Sequence, residues 1–417
     1  MNPWLRTTLV DLCEITSSKR IYAADYEAEG VPFYRGKEII EKHKGNLEVS
    51  TELFISESKF LEIKRRFGSP RVDDLLLTSV GTLGVPYVVK AGEEFYFKDG
   101  NLTWFRNFRN LCSSFLFYWL LSPAGKGELK KCTIGSSQPA LTIVLLKGME
   151  ILLPPLPVQR RIAGILSAYA DLIENNTRRI AILEEMARSL YQEWFVRFRY
   201  PGHEGVPLAD SALGPIPEGW KVRTLAAIAR ENRRSVSPKQ VSENTPYVGL
   251  EHLPRRSIAL AEWGLAKDVQ STKLSFHRGD ILFGKIRPYF HKVVVTPTEG
   301  VCSSDAIVIT ALQPDYFGLV LGCVSSDEFV AHATQTSQGT KMPRANWDVL
   351  LKYPVALPPP ALLAQFNTFV QDAVGLVENL VFQNRKLRGT RDLLLPKLIS
   401  GELDVEHLDL QPSELTA

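Results

Sequence analysis

The sequence predicts an α/β (α+β) protein in which two globular mixed α/β domains form a pseudo-twofold repeat and are separated by a long antiparallel two-helix coiled coil. Three observations support this prediction. The chain has 417 residues, 45% of them hydrophobic, which is enough for two cores. Its second half repeats its first at an offset of about 204 residues, and each half closes on a long helix with a heptad pattern.

The repeat is clearest in the back part of each half. Gly135–Pro139 leads into a strand-like segment that ends in a Pro-Pro pair at 154–155, and Gly339–Pro343 leads into one that ends in a Pro-Pro pair at 358–359. The two motifs and the two proline pairs are each 204 residues apart, so this part aligns without a gap. Self-similarity at a fixed period indicates two copies of one structural unit.

The front part of each half predicts a mixed α/β domain. Short Val, Ile, Phe and Tyr runs bounded by Gly and Pro are typical of strands. Asp74–Gly81 aligns with Asp280–Arg287 at an offset of 206, so the match here is looser. We predict a first domain at 1–155, a central spacer helix at 156–200, a second domain at 201–358 that opens with a linker at 201–219, a distal spacer helix at 359–400 and a C-terminal tail at 401–417.

Both back helices carry a coiled-coil seam, because their mostly apolar residues recur at alternating steps of four and three. A buried Asn is costly unless it meets another polar group, and each seam contains one, so we predict that Asn176 faces Asn384. Pro396 is expected to kink or end the distal helix. The first seam contains Ile162, Leu166, Tyr169, Ile173, Asn176, Ile180, Leu183, Ala187, Leu190 and Trp194; the second contains Phe366, Val370, Ala373, Val377, Leu380, Asn384, Leu387, Arg391, Leu394 and Leu398.

Composition excludes several classes of protein. The net charge of +3 does not indicate a strongly basic nucleic-acid binder. We expect a cytoplasmic protein, because the sequence shows no signal-peptide pattern and no apolar run near the roughly 20 residues that a membrane span needs. The five cysteines are scattered without a CxxC pair and the seven histidines stand singly, so we expect reduced thiols and no metal site.

Motifs for catalysis are missing from the sequence. There is no GxxxxGK[ST] phosphate loop, no HExxH and no GxSxG. The proline pairs follow Leu153 and Leu357, whereas a base-amino methyltransferase needs Asn or Asp before Pro-Pro and an aromatic residue after it. Pro314-Asp315 begins like a nuclease motif but lacks the Glu-x-Lys that would complete it. We therefore expect a chain that is not itself an enzyme.

The order of the motifs resembles that of the specificity subunit of type I restriction-modification systems. The resemblance covers nearly the whole chain and includes Gln159–Leu166, Leu183–Phe195, Ile216–Trp220 and Gly284–Tyr289, together with the duplicated Gly-Ser/Thr-x-x-Pro and Leu-Pro-Pro motifs. It implies two target recognition domains that each read a few base pairs of double-stranded DNA. Because the front halves differ, the two half-sites should differ as well, which gives an asymmetric bipartite target.

The resemblance also implies partners. Two methyltransferase subunits would dock on the chain, with or without two restriction/translocase subunits, and the chain would not contact a membrane. It would bind no cofactor itself, while its partners would use S-adenosylmethionine, and ATP with Mg if a restriction subunit is present. Two alternatives stay open: the specificity subunit of a methylation-only system, and a coiled-coil scaffold with two protein-binding domains.

Candidate DNA-binding residues are the basic and small polar side chains in loops, because phosphate contacts position a protein on DNA and base contacts specify the sequence. In the first domain these are Thr78, Ser79, Thr82, Arg106, Arg109, Ser136, Ser137 and Gln138, with Lys64, Arg65 and Arg66 as phosphate ligands. In the second domain they are Arg233, Arg234, Lys285, Arg287, Tyr289, Gln338, Thr340, Lys341 and Arg344.

Overall fold

The computed structural model describes residues 4–45 and 49–406. The chain divides into two compact units: the first holds the described residues up to Glu174 together with those from Leu387 onward, and the second is Asn175–Lys386. Residues 407–417, which make up most of the predicted tail, lie outside the described residues. No helix in the described part of the chain is both long and apolar enough to cross a membrane.

The first 155 residues form short strands and helices in alternation, as the Gly- and Pro-bounded apolar runs predict. The elements are β1 (Leu5–Thr8), α1 (Leu9–Leu12), β2 (Glu14–Thr16), β3 (Tyr26–Glu27), β4 (Val31–Tyr34), α2 (Gly36–His43), β5 (Phe54–Ile55), α3 (Glu57–Phe67), β6 (Leu75–Thr78), β7 (Pro86–Val88), β8 (Tyr96–Phe97), β9 (Leu102–Arg106), α4 (Ser113–Leu121), α5 (Pro123–Lys131), β10 (Thr133–Ile134), β11 (Ala140–Leu141), α6 (Ile143–Lys147) and β12 (Glu150–Leu153). The first long helix, α7 (Leu156–Tyr191), follows and runs into a π-helical turn at Gln192–Val196.

The second half ends in the same order as the first, with three α-helices, a strand and a long helix, whereas its described residues before Phe317 form strands and 3-10 turns without an α-helix. Its elements are β13 (Leu208–Ala209), β14 (Ile216–Pro217), β15 (Lys221–Thr224), β16 (Ala229–Glu231), β17 (Ser235–Val236), β18 (Pro246–Val248), β19 (Gly264–Leu265), β20 (Lys273–Phe276), β21 (Ile281–Gly284), β22 (Val293–Val295), β23 (Gly300–Cys302), β24 (Ala306–Ala311), α8 (Phe317–Val324), α9 (Asp327–Gln335), α10 (Trp347–Leu350), β25 (Pro354–Leu357) and α11 (Pro360–Ser400).

The sheets of the two halves share one topology. In the first, four antiparallel strands lie in the order β2-β9-β6-β7, and in the second the matching strands lie in the order β16-β24-β21-β22. Each half adds a second sheet with one parallel pair, β4 with β8 or β18 with β23. A two-stranded ladder, β1 with β12 or β15 with β25, precedes each long helix. The repeated topology confirms the predicted fold class.

The main core of each half lies between its four-stranded sheet and the helices of the back part. In the first half, Leu75, Phe105 and Phe115 are completely buried there. In the second half, Ile309, Leu319 and Phe329 are completely buried in the equivalent cluster. Four of the five cysteines are buried, and all five are free thiols.

Antiparallel packing of α7 and α11 follows the predicted seam within each unit. In the first unit, Ile162 packs in one cluster with Leu398. In the second unit, Ile180 and Leu380 share another cluster. The Trp194 ring lies 5.7 Å from the Phe366 ring, measured between centroids.

The prediction for Pro396 is wrong in one respect, because α11 continues through it to Ser400. Proline removes the N–H that would bond to the carbonyl four residues earlier, and its ring crowds that carbonyl, so the last turn needs other support. Leu398 and Ile399 beyond it are buried in the first-unit core. Their burial holds the last turn of the helix in place.

Candidate nucleic-acid interface

In the second half, the chain that leaves β21 runs beside a hairpin from much later in the sequence. The Lys285 N–H donates to the Asp305 carbonyl at 2.8 Å, and the Lys285 carbonyl accepts from the Ala345 N–H at 2.9 Å. The Arg287 N–H donates to the Pro343 carbonyl at 2.8 Å. These bonds hold the backbone of the Gly284–Tyr289 motif against the Gly339–Pro343 motif.

The hairpin itself is closed by two backbone hydrogen bonds between Gln338 and Arg344, of 3.0 and 2.9 Å. Its side chains point outward, and Gln338, Thr340, Lys341 and Arg344 are all exposed. The structure therefore brings four predicted residues from the hairpin together with Lys285 and Arg287, which are about 50 positions earlier in the chain.

An open cleft lies at the base of this hairpin. Arg233, Lys285, Gln338 and Arg344 line it together. Arg233 forms ion pairs with Glu231 and Asp348, and Arg344 lies 3.6 Å from Asp305. Two of the four predicted cleft residues thus already have carboxylate partners, so binding to phosphate would require those exposed pairs to open.

Other basic side chains of this surface have no such partner. Within residues 4–45 and 49–406, Arg234, Lys285, Arg287 and Lys341 form no ion pair with a carboxylate. Tyr289 is 51% exposed, and its ring lies 4.8 Å from that of Phe290. Cations without a carboxylate partner near the exposed Tyr289 ring suit contacts to phosphates and bases.

The first half builds the same edge from different residues. The Ser79 N–H donates to the Asn101 carbonyl at 2.8 Å, and the Ser79 carbonyl accepts from the Leu141 N–H at 2.9 Å. The β10–β11 hairpin closes around Gly135–Pro139, so Ser136, Ser137 and Gln138 are exposed on its turn. Thr82 is exposed on the neighbouring loop.

The prediction of Thr78 and Ser79 as DNA ligands is wrong, because the structure places both side chains inside the fold. Thr78 is completely buried and its hydroxyl accepts from the Val85 N–H at 2.9 Å. Ser79 is 3% exposed and its hydroxyl lies 2.7 Å from that of Thr103. Because both hydroxyls already have partners inside the fold, they stabilise the end of β6 and do not face a ligand.

Arg106 is also committed within the fold. Its Nη2 donates to the Glu14 carboxylate at 2.6 Å, and its guanidinium carbon lies 4.3 Å above the Trp104 ring centre. Hydrogen bonding to Arg106 is the largest cause of the lowered pKa of Glu14. These contacts hold the Arg106 side chain against the fold, and its role as a DNA ligand stays a prediction.

The other four cations predicted as DNA ligands in the first domain are exposed. Lys64 pairs with Glu94 at 2.8 Å and Arg66 with Glu62 at 3.3 Å, both on the surface. Arg65 and Arg109 are exposed as well. Exposed pairs of this kind contribute little to stability and open easily.

Two residues of the second unit that bear on this surface, Arg255 and Glu184, were not predicted from the sequence. Arg255 is exposed, and its guanidinium carbon lies 4.1 Å from the centre of the Phe290 ring. Two adjacent arginines, Arg255 and Arg256, are a feature of the sequence that could have indicated a basic surface here. Glu184 of α7 accepts hydrogen bonds from the Ser257 hydroxyl and from the N–H groups of residues 258 and 259, and burial raises the pKa of its carboxyl. It fixes this loop to the helix, and no local sequence pattern indicated it.

The polar pair of the helix seam is formed as the register predicts. The Asn176 side-chain Nδ2 donates to the side-chain Oδ1 of Asn384 at 3.0 Å, and both residues are more than 90% buried. Asn384 also donates to the Thr177 hydroxyl at 3.4 Å.

The comparisons with known proteins agree with this architecture. A family model described as the type I restriction modification DNA specificity domain matches residues 1–185. The chain is 28% identical over 349 residues to the type I restriction enzyme MjaIX specificity subunit of Methanocaldococcus jannaschii, which covers 80% of this chain and 78% of that protein. The chain is thus similar to type I restriction-modification specificity subunits over most of its length.

Two further specificity subunits are similar to this chain, one in sequence and one in fold. The EcoDI specificity subunit of Escherichia coli is 23% identical over 317 residues, covering 69% of this chain and 70% of that protein. The crystal structure of a type I restriction-modification S subunit from M. genitalium has the same fold, with a TM-score of 0.61 and 13% identity over 95% of this chain and 97% of that chain. The resemblance inferred from the motifs is confirmed.

Proposed function

We propose that this specificity subunit reads an asymmetric, bipartite sequence in double-stranded DNA on behalf of a type I restriction-modification complex. The observation that supports it best is the matched edge of the two halves, where the end of β6 or β21 pairs with the hairpin of the Gly-Ser/Thr-x-x-Pro motif. The scaffold of this edge is the same in both halves, whereas its exposed side chains differ. A shared scaffold with different side chains suits the reading of two unlike half-sites.

The catalytic steps belong, in this proposal, to partner subunits. Two methyltransferase subunits would dock on the two repeated helix ends and use S-adenosylmethionine, and restriction subunits, where present, would use ATP with Mg. No group of three or more His, Cys, Asp or Glu side chains in the described residues is arranged to hold a metal ion. Native mass spectrometry with saturating methyltransferase should show two copies per chain, and a single copy would contradict this part.

The test of the proposal is selection from random DNA. The full chain, bound to its methyltransferase, is incubated with a library of random duplexes, and the retained fraction is sequenced. We expect two short, different sequences at a fixed spacing, and binding that weakens steeply as salt rises, because phosphate contacts release counterions. A continuous or palindromic motif, or retention without any sequence preference, would contradict the proposal.

A further inference from the structure

Two loops that match between the halves differ in one informative way. The first-domain loop is Ser79–Gly84 and the second-domain loop is Lys285–His291. Each is closed by a backbone hydrogen bond across its base: the Thr78 N–H donates to the Val85 carbonyl at 3.1 Å, and the Gly284 N–H donates to the Lys292 carbonyl at 2.8 Å. The two loops are therefore equivalent parts of the fold.

Both loops need two residues in the left-handed region of backbone conformation. In the first-domain loop these are Gly81, with φ +77°, and Gly84, with φ +73°. In the second-domain loop they are Arg287, with φ +50°, and His291, with φ +51°. Glycine adopts this conformation freely, whereas a residue with a Cβ is strained in it. The second domain thus keeps two strained side chains where the first domain uses glycine.

His291 has a structural reason to be there. Its Nε2 lies 2.8 Å from the Ser325 carbonyl and its Nδ1 lies 3.4 Å from the Asp327 carboxylate, and the residue is 7% exposed. Burial lowers the pKa of this imidazole. Its side chain is part of the packing between the loop and α9.

Arg287 has no comparable reason. Among the described residues, its side chain forms one long hydrogen bond, of 3.5 Å from Nη2 to the Lys341 carbonyl, and its buried Nε has no hydrogen-bond partner. In the part of the chain that the structure describes, it forms no ion pair with a carboxylate. Its guanidinium carbon lies 5.9 Å from the Phe290 ring centre, which is a weak contact at the outer limit of a cation–π interaction. Strain that internal contacts do not explain points to a ligand outside the fold.

We propose that Arg287 is a specificity-determining residue that reads a guanine in the DNA half-site of the second domain. The proposal rests on the proposed function of the chain. An arginine can donate two parallel hydrogen bonds to O6 and N7 of guanine in the major groove, a pattern that no other base offers. Lys285 and Lys341 form no ion pair with a carboxylate within the described residues. In the proposal they supply the phosphate contacts that bring the guanidinium to the base edge. The first domain has Gly81 at this place, so its half-site is read from elsewhere.

The strain makes Arg287→Gly a sharp test, because this variant restores the residue that the first domain uses. The full chain with its methyltransferase is taken through the random-duplex selection, and its thermal unfolding midpoint is measured. We expect Arg287→Gly to weaken the preference at one guanine position of one half-site by roughly tenfold or more. The other half-site should be unchanged, and the unfolding midpoint should be equal to that of wild type or higher.

Two further variants separate base reading from charge. Arg287→Lys should keep the salt dependence of binding but reduce the preference for guanine. Lys341→Ala, the matched control, should weaken binding to all sequences and leave the preference unchanged. If wild type selects no sequence, the proposed function fails. If wild type selects a sequence and Arg287→Gly keeps the same guanine, the inference alone fails. A lower midpoint with loss of both half-sites in Arg287→Gly would show a structural role and overturn it.

Discussion

The buried amide pair of the helix seam gives a quantitative prediction about coupling. Replacing Asn176 by Leu removes the 3.0 Å hydrogen bond to Asn384, a residue that is 4% exposed and whose side-chain amide also lies 3.4 Å from the Thr177 hydroxyl. Replacing both Asn residues by Leu leaves no amide behind. The single variants should therefore be less stable than wild type, whereas the double variant should not.

The magnitudes follow from the cost of losing a hydrogen bond between buried polar groups. Removing the bond between the two amides should destabilise the second unit by about 1–3 kcal/mol, offset in part by the burial of the new leucine. The double variant should be near neutral or more stable than wild type, because two apolar groups can replace a hydrogen-bonded pair with little loss. For a unit of this size, 1 kcal/mol corresponds to a shift of about 2–4 °C in Tm.

Urea unfolding of wild type, both single variants and the double variant, followed by circular dichroism and tryptophan fluorescence, measures the coupling energy. We expect a coupling of at least about 1 kcal/mol in favour of the matched pairs. As a control, Leu172→Ala on the exposed face of α7, where this side chain is 52% exposed, should change stability little. Additive effects of the two Asn replacements would refute the reasoning that the amides depend on each other.

Three further predictions concern a loop, a buried carboxyl and a cation. Gly81→Ala should destabilise the first unit by about 1–2 kcal/mol in urea unfolding, because its φ is +77° although an added Cβ would meet no atom within 4 Å; an unchanged midpoint would contradict this. Burial raises the pKa of Glu184, so the folded chain holds that proton more tightly than the unfolded chain, and stability should fall as pH rises from the ordinary value of 4.5 through the raised one. Glu184→Gln should flatten this part of the pH profile, whereas an identical profile would argue against it. Lys341→Ala should reduce the slope of log affinity against log salt by about one, and an unchanged slope would exclude a phosphate contact.

Much of the fold could be predicted from the sequence because its signals are local or periodic. The 204-residue offset placed the two long helices and the strands before them, and the structure begins α7 at Leu156 and α11 at Pro360. The lone Asn of each seam fixed the register, because a polar group in an apolar seam has one inexpensive partner. Such signals do not depend on which other elements lie nearby.

The candidate site was predicted less completely. Thr78 and Ser79 follow an apolar strand and look like loop residues, but β6 lies between β9 and β7, and its end is buried. Arg106 looks like a free cation, but the strand pairing of β2 with β9 places Glu14 directly opposite it. The alternation of residues predicts which side chains share one face of a strand, but it does not predict which strands pair with it.

The sequence by itself determined the repeat, the long helices, their facing residues and the resemblance to specificity subunits, because periodicity and motif order are written along the chain. The tertiary structure alone decided which polar side chains are available to a ligand. It also showed that Arg287 occupies the left-handed position held by Gly81 in the other half, although the residues had already been aligned. The physical reason is that backbone strain and hydrogen-bond partners arise from segments about 50 residues apart, such as 285–287 and 338–344, and only folding brings these together.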